Sequence, residues 1–372
     1  MAILNYGMAA DSEEEAKTVR FSGTVNHITS DEHPSLLEIF KLKRLPLPSG
    51  SFELEVSGVP TAVPNAIRRV LIDELTSYRL GIDQQQFIDY DKHTEVYSIY
   101  SMLLLGISNV RLKYNIDPVE ASKLRLKLEI TNKSQFNMPV YSGDLQVTSG
   151  NPSLVICNPT IQLTVVTPGK SVFVDNIKLI KDIGKNSGFN NVGCQVVAKP
   201  LDLETYTKKE LTAPDGIAAN LACYKLQSTV ANPRHHMVSG IFNCISDVGE
   251  IKNIITDAMD NISKRTQKIE MSLSDTSSRN TDVVYDEKPT SKGSNITEAS
   301  LVVSGETHTI AVLVNRYVFE NDPTIEEINY EIENDSVYFT IKSSKNIRQQ
   351  LITSLKKIIS DINLIKESFL SL

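Results

Sequence analysis

The strongest constraint on the fold is an internal repeat. The tripeptide Val-Ser-Gly occurs at 56–58 and again at 303–305, an offset of 247 residues (303 minus 56). Keeping that offset without a gap pairs Ile67 with Val314. At both places an apolar run typical of a strand precedes the tripeptide, and a stretch with helical apolar spacing follows it. The sequence therefore predicts two diverged copies of one half-module, each with a strand, a turn, a short helix and later a long helix.

The long helices are predicted at 247–271 and 346–370, and both are amphipathic. In the second helix the apolar steps alternate between four and three, as in a coiled coil. Neither half has a third layer that could cover its apolar face, so we expect the two faces to cover each other about a pseudo-twofold axis. The alternative is that the long helices belong to separate bundles or pack between molecules. The predicted dimerisation seam consists of Ala66, Ile67, Val70, Ile251, Ile255, Ile262, Leu313, Tyr317, Leu351, Leu355, Ile358 and Ile362.

The spacing of the remaining patterns predicts a domain order and an α+β fold. Short β-like runs separated by turn residues, such as Pro168-Gly169, indicate a β-rich insertion domain in the first half. A polar segment rich in Ser, Thr, Asp and Lys predicts a flexible linker, because it cannot bury enough apolar surface to offset its ordering entropy. The predicted divisions are an N-terminal extension at 1–50, a larger half-module at 51–112 and 224–271, the insertion at 113–223, the linker at 272–300 and a smaller half-module at 301–372.

Composition excludes several classes of function. The formal net charge is −7 and no long basic run occurs, which disfavours a main role in gripping DNA or RNA. The four cysteines contain no C-x-x-C pair, so a structural zinc site has no support and a reducing compartment is favoured. The first residues lack the pattern of a signal peptide, and no apolar run approaches the roughly 18 residues of a membrane helix. We therefore expect a chain that is not secreted and needs no cofactor or metal.

Four stretches resemble the α-like assembly subunits of multisubunit RNA polymerases, and they occur in the order of that family. FELEVSGVPTAVPNAIRRVLIDEL (52–75) resembles the strand and N-x-L-R-R-[IV] helix of the larger partner, and LLLGISNV (103–110) resembles its G-L-[IL]-P-[IL] stretch. IKLIKDIGKNSGFNNVGCQVVA (177–198) resembles the loop of its insertion domain. GETHTIAVLVNRYVFENDP (305–323) resembles the E-D-H-T-[LI]-G-N…R-Y…DP signature of the smaller partner.

The order of these motifs in one chain is itself a resemblance. The two partners are usually separate, as in the archaeal D/L type, whereas here the larger precedes the smaller. Together with YKLQSTVANPRHHM (224–237), this resembles the fused assembly subunit of large nucleocytoplasmic DNA viruses. The chain departs from the family at 308–312, where HTIAV lacks the Gly-Asn pair. The arginine that follows in the family falls at Asn315 here, with Arg316 one place on.

The resemblance implies a non-catalytic assembly scaffold within a DNA-directed RNA polymerase. Its two halves pair and dock the second-largest and then the largest subunit, alongside other small subunits, and contact DNA only through the complex. The implied location is the virion and host cytoplasm if the chain is viral, and otherwise the nucleus or cytoplasm. An arginine at the rim of an apolar stripe suits subunit docking, because its planar fork holds carboxylates bidentately. The predicted docking residues are Arg68, Arg69, Lys181, Lys185 and Arg316.

Two other hypotheses compete with that of an assembly scaffold. The first is a stand-alone metal-dependent hydrolase that uses Asp89 and Asp91, spaced for Mg²⁺, with the adjacent His235 and His236. Against it, the chain has no run of three aspartates, no P-loop and no G-x-S-x-G elbow, and a structural role suits the histidine pair better. The second is a pairing module unrelated to transcription. For His308, at a predicted helix start, we expect a capping or packing role.

Overall fold

A computed structural model describes residues 19–26, 49–82, 97–110, 112–114, 116–150, 161–200, 235–243, 247–275, 282–290 and 296–372. In chain order the strands and helices are β1 (Val19–Asn26), β2 (Ser49–Ser57), α1 (Ala62–Arg69), β3 (Thr76–Gly81), α2 (Tyr97–Ser108), α3 (Pro118–Lys123), β4 (Arg125–Thr131), β5 (Met138–Tyr141), β6 (Gln146–Ser149), β7 (Gln162–Val166), β8 (Ser171–Ile183), β9 (Gly193–Pro200), β10 (His235–Asn243), α4 (Val248–Ser274), β11 (Val283–Pro289), β12 (Thr297–Ser304), α5 (His308–Asn321), β13 (Ile325–Glu333), β14 (Ser336–Ser343) and α6 (Ile347–Leu370). A π-helical turn, Val70–Glu74, continues α1.

Two of the sheets have the same construction. The first has the strand order β1-β2-β10-β9 and the second has the order β11-β12-β14-β13, and all neighbouring strands are antiparallel. In each sheet a short helix follows the second strand (α1 or α5) and a long helix follows the third (α4 or α6). We call β1, β2, α1, β9, β10 and α4 the first half, and β11–β14, α5 and α6 the second half.

The strand registers of the two halves also correspond. In the first half Val56 pairs with Val19 on one side and His236 on the other. In the second half Val303, 247 residues later, pairs with Val283 and Val337 at the same positions. The glycines that follow, Gly58 and Gly305, have φ angles of 74° and 77°, a left-handed conformation that favours glycine. The repeat in the sequence thus corresponds to two units with the same strand order, register and turn.

The long helices α4 and α6 pack antiparallel against each other. Lys366 Nζ lies 2.5 Å from Asp260 Oδ1, and Lys356 Nζ lies 3.7 Å from Glu270 Oε1. Helix α1 also contacts α5. One hydrophobic core contains buried residues of both halves, and all twelve residues of the predicted seam belong to it. Full burial of each large apolar side chain contributes about 1.5–3 kcal/mol.

The insertion forms a separate core and begins earlier than predicted. Its main sheet has the order β3-β8-β4-β6, β5 pairs with β7, and Leu80, Leu103 and Ile177 are buried in its own cluster. Strand β3 and helix α2 therefore belong with the insertion, although the sequence divisions placed them in 51–112. Conversely, β9 was predicted inside 113–223 but extends the first sheet. These boundaries were wrong because strand pairing, which joins distant segments, leaves no local trace in the sequence.

The prediction of a flexible linker at 272–300 was wrong. Helix α4 continues to Ser274, β11 occupies the middle of the segment, and β12 begins at Thr297. Strand β11 lies at the edge of the second sheet, and only Val283 is buried along it. An edge strand needs few apolar residues because backbone hydrogen bonds hold it, so its composition resembles that of a linker. Within 1–50, likewise, β1 is an edge strand of the first sheet.

Candidate subunit-docking site

A buried ionic network joins the two halves, with Arg265 of α4 at its centre. Arg265 Nη1 donates a hydrogen bond to the Glu74 carboxylate. Its Nε and Nη2 atoms donate to Glu306 Oε2 at 3.1 and 2.6 Å. The side chains of Glu74, Glu306 and Arg265 are only 5%, 9% and 19% exposed. Because Glu74 ends the first short helix and Glu306 precedes the second, this cluster ties one half to the other. We refer to these three residues as the network.

Two threonine hydroxyls complete the hydrogen bonds of the network. Thr307 Oγ1 accepts from Arg265 Nη2 and donates to Glu74 Oε1, each at 3.1 Å. Thr309 Oγ1 also donates to Glu74 Oε1 and accepts from Arg69 Nε at 3.0 Å. Buried charges are tolerated when they are both paired and hydrogen-bonded, and this condition is met at Glu74.

The π-helical turn explains why an acidic residue lies inward at the end of α1. Leu75 N donates to Val70 O at 3.1 Å, an i to i+5 bond that widens the helix by one residue. The side chains after Val70 are rotated relative to those of a regular helix, and Glu74 is buried. Helix α5 stays regular to Asn321, the equivalent of Glu74 at the offset of 247. The two halves therefore differ at this position.

The network shifts the pKa of two of its members. Burial would raise the pKa of Glu74, but the Arg265 charge and the hydrogen bonds from Thr309, Arg265 and Thr307 outweigh it, so the pKa lies below its ordinary 4.5. Burial would lower the pKa of Arg265, yet hydrogen bonding to Glu306 and the two carboxylate charges raise it. The folded state therefore holds Glu74 and Arg265 ionised at neutral pH.

Four of the five predicted docking residues have partners within the chain. Arg69 donates to Thr309, as described. Lys185 Nζ lies 3.1 Å from Asp335 Oδ1 in the second half, and Arg316 forms an ion pair with Glu320 one helical turn later. The fourth is Arg68, whose half-buried side chain donates to Asn65 Oδ1 at 3.0 Å, and Lys181 is exposed on β8.

The structure brings the two predicted docking regions side by side. The loop after β8 lies against the π-helical turn, where Lys185 N donates to Asp73 O at 2.8 Å. Gly184 permits this approach, because a Cβ there would lie 2.8 Å from the Asp73 Cα and 2.0 Å from Asn191 Oδ1. The Arg68 end of α1 and the loop at 181–189 thus form one continuous surface, which we call the docking surface.

Of the residues of the hydrolase alternative, His236 is the one whose side chain the structure describes. Asp89, Asp91 and the side chain of His235 lie outside the described residues. His236 is 1% exposed and lies within the first sheet. Among the residues that the structure describes, no group of three His, Cys, Asp or Glu side chains could hold a metal ion. No helix in the same ranges is long and apolar enough to cross a membrane.

Of the two roles expected for His308, capping and packing, the structure supports packing. The N-cap of α5 is Thr307, whose Oγ1 accepts from Thr309 N at 3.2 Å, so the capping role expected for His308 was wrong. The imidazole instead packs edge-on against Tyr330, with ring centroids 5.8 Å apart and Nδ1 3.3 Å from the phenol oxygen. Its role is packing, which was the other expectation.

Sequence reasoning missed the network. A signal was present in α4, where the apolar stripe is interrupted between Ile262 and Ile269 by a charged residue, Arg265. A charged residue beside a buried seam requires a partner of opposite charge. The partners lie 191 and 41 residues away in the chain, at Glu74 and Glu306, so the sequence alone did not identify them.

The fold defines a class of protein: an α+β chain of two equivalent halves on one core, with a β-rich insertion in the first. No family model matches the chain. The chain is similar to proteins named DNA-directed RNA polymerase RPB3-11 homolog from African swine fever virus. The homolog from a Namibian warthog isolate is 27% identical over 335 residues, which cover 87% of this chain and 88% of the relative. Homologs from a Kenyan pig isolate and a Malawian tick isolate are 27% and 26% identical over 337 and 336 residues.

Proposed function

We propose that this chain is a non-catalytic assembly subunit of a viral DNA-directed RNA polymerase. The observation that carries the proposal is the length of the similarity to the African swine fever virus homologs, which extends over 87% of this chain and 88% of theirs. A match of that extent includes residues of both halves and of the insertion. The proposed place of action is the host cytoplasm and the virion, where a virus that supplies its own polymerase transcribes.

The proposed mechanism is that of a rigid platform. The two halves, corresponding to the larger and smaller α-like partners, share a core and present one fixed outer surface. Fusion in one chain sets their ratio at one to one and raises their effective concentration. On this platform the second-largest subunit docks first and the largest follows. Association with DNA is through these subunits, since the chain itself carries a net charge of −7.

We place the first contact with the second-largest subunit on the docking surface. Arg68 and Lys181 are chosen because Arg69 and Lys185 are held by Thr309 and Asp335 of the second half, whereas Arg68 is bonded to Asn65 of its own helix and Lys181 is exposed. The guanidinium of Arg68 suits a carboxylate or a carbonyl pair at the edge of an interface. Charged residues of this kind contribute to orientation and association rate as well as to affinity.

The test is co-purification of tagged variants with the polymerase from infected cells, quantified by mass spectrometry. Arg68→Glu and Lys181→Glu should each lower recovery of the second-largest subunit about tenfold, and the double variant should lower it further, because a repulsive charge replaces an attractive one. Arg69 is left unchanged, since its loss would also disturb the network.

Matched controls are Arg20→Glu on β1 and Lys133→Glu in the insertion, because both residues are exposed and lie outside the elements of the docking surface. Recovery with these controls should equal the wild type. Equal recovery of the second-largest subunit with all five variants would contradict the assigned docking surface. Failure of the unmodified chain to co-purify with two chains of polymerase size would contradict the proposed function, and nucleotide hydrolysis by the isolated chain would favour the enzyme alternative.

A further inference from the structure

We propose that Glu74, Arg265 and Glu306 make each half pair with the other half and not with a second copy of itself. The inference rests on the pairing of the halves in the proposed function and adds a rule of partner choice. Two halves with the same fold present similar apolar faces, and burial of apolar surface is non-directional. The contact that distinguishes correct from incorrect pairing must therefore differ between the halves.

The geometry of the shared core is that of an isologous pair. Helix α1 contacts its equivalent α5, and α4 contacts its equivalent α6, as expected around a twofold axis. Ser263 Oγ lies 3.1 Å from Asn363 Oδ1, which joins two residues 100 positions apart. The same offset of 100 superimposes buried residues of the two long helices: Ile251 on Leu351, Ile254 on Ser354, Ile255 on Leu355, Ala258 on Ile358, Ile262 on Ile362 and Ile269 on Phe369.

The network breaks this symmetry. Applying the two offsets gives the equivalent residue for each member: Val59 for Glu306, Asn321 for Glu74 and Ile365 for Arg265. Val59 and Ile365 are fully buried and apolar. The threonines that support the network are replaced as well, by Pro60 and Ala62. A buried ionic cluster thus lies on one side of the pseudo-axis, and apolar residues occupy its two central positions on the other side.

Pairing of like halves would leave a buried carboxylate without a cation in one case and a buried cation short of one carboxylate in the other. Two second halves would bring Glu306 of one copy against Ile365 of the other, so a carboxylate would be buried with no cation. Two first halves would bring Arg265 against Val59, with Glu74 as its one remaining carboxylate. Because a like pair is symmetric, each uncompensated charge occurs in both copies. Loss of one partner from a buried ion pair is strongly destabilising, so like pairing should be disfavoured by about a hundredfold or more.

The experiment uses the folded full chain with a protease site in place of residues 276–281, between α4 and β11. Cleavage yields a noncovalent complex of the two fragments. Complexes grown with light and heavy isotopes are mixed, incubated until fragments exchange, and analysed by native mass spectrometry. For the wild type we expect exchange only between unlike fragments, with like pairs below about 1% of the total.

The test variant replaces each network residue by the residue at its equivalent position: Glu74→Asn, Arg265→Ile and Glu306→Val together. Like pairs should then increase about tenfold or more, because the charge that opposed them is gone. Glu306→Gln is a milder second variant that keeps the size of the side chain. Its matched control is Glu327→Gln, a partly exposed acidic residue of β13 that pairs with Lys342 on the same sheet.

The outcomes distinguish the preference of each half for the other half, which is the pairing rule, from the association of the two halves. Like pairs as abundant as unlike pairs in the wild type would overturn the inference. So would a proportion of like pairs in Glu306→Gln that equals that of Glu327→Gln. Dissociation of the wild type into single fragments would overturn both the pairing and the rule. Neither result bears on whether the intact chain co-purifies with a polymerase, which the docking experiment measures.

Discussion

Replacing Arg265 by methionine tests whether the network is held by charge. Methionine fills a similar length without the guanidinium, so Glu74 and Glu306 keep their burial but lose the cation that both contact. Their side chains are 5% and 9% exposed, which leaves little access to water. The substitution therefore converts one compensated cluster into two buried carboxylates with reduced compensation.

The expected loss is large relative to the stability of a domain. Breaking a buried ion pair by removing one partner costs about 3–5 kcal/mol. A typical domain has a free energy of unfolding of about 5–15 kcal/mol. Part of the loss is offset by the threonine hydroxyls that remain around Glu74, so the lower end of the range is expected. Arg265→Met should remain folded at neutral pH with a clearly lower unfolding midpoint.

The dependence on pH should change sign. In the wild type the pKa of Glu74 lies below 4.5, so its contribution is complete above about pH 4.5 and is lost as the pH falls through the folded pKa. Without Arg265, burial, the largest influence on Glu74, should outweigh the remaining threonine hydrogen bonds and the charge of Arg69 at 4.0 Å, and so raise its pKa above 4.5. The native state of the variant then binds protons more readily than the unfolded state, so its stability should increase as the pH falls from 7 to 5.

Urea unfolding followed by circular dichroism, at pH 7 and at pH 5, measures both effects. Lys264→Met is the matched control, because Lys264 is exposed on the same helix and carries the same charge. A loss in Arg265→Met below about 1 kcal/mol, the range of surface ion pairs, would refute the reasoning. Equal stability of the variant at the two pH values would refute it as well.

Three further predictions concern the interface between the halves, the approach at Gly184 and the binding of DNA. Ile358→Asp should abolish soluble protein, because the residue is fully buried between the halves, whereas Lys356→Asp at an exposed position should be recovered normally by size-exclusion chromatography. Gly184→Ala should lower the unfolding free energy by about 1–3 kcal/mol through contact with Asp73, while Gly188→Ala, with open space around it, should not; thermal unfolding measures the difference. The isolated chain should bind duplex DNA weakly at physiological salt, and submicromolar binding by fluorescence anisotropy would contradict its acidic character.

Periodic patterns in the sequence were sufficient for the large elements of the fold. The helices predicted at 247–271 and 346–370 correspond to α4 and α6 within a few residues, and the strands predicted before both Val-Ser-Gly tripeptides are β2 and β12. These elements could be predicted because each has one buried face, and a buried face fixes apolar spacing locally. The linker prediction was wrong for the complementary reason, since an edge strand such as β11 is held by backbone hydrogen bonds that leave no apolar pattern.

The sequence by itself thus determined that the chain has two similar halves with apolar faces too large for water. Only the tertiary structure decided which charges lie between them. Arg69 had been assigned to an outer rim but donates to Thr309 of the second half, and Glu74 is buried because a π-helical turn rotates it inward. Buried apolar residues repeat at short intervals along a helix, so a short stretch of sequence is enough to predict them. An ion pair depends on the position of two or three atoms from distant segments, and that position exists only once the chain has folded.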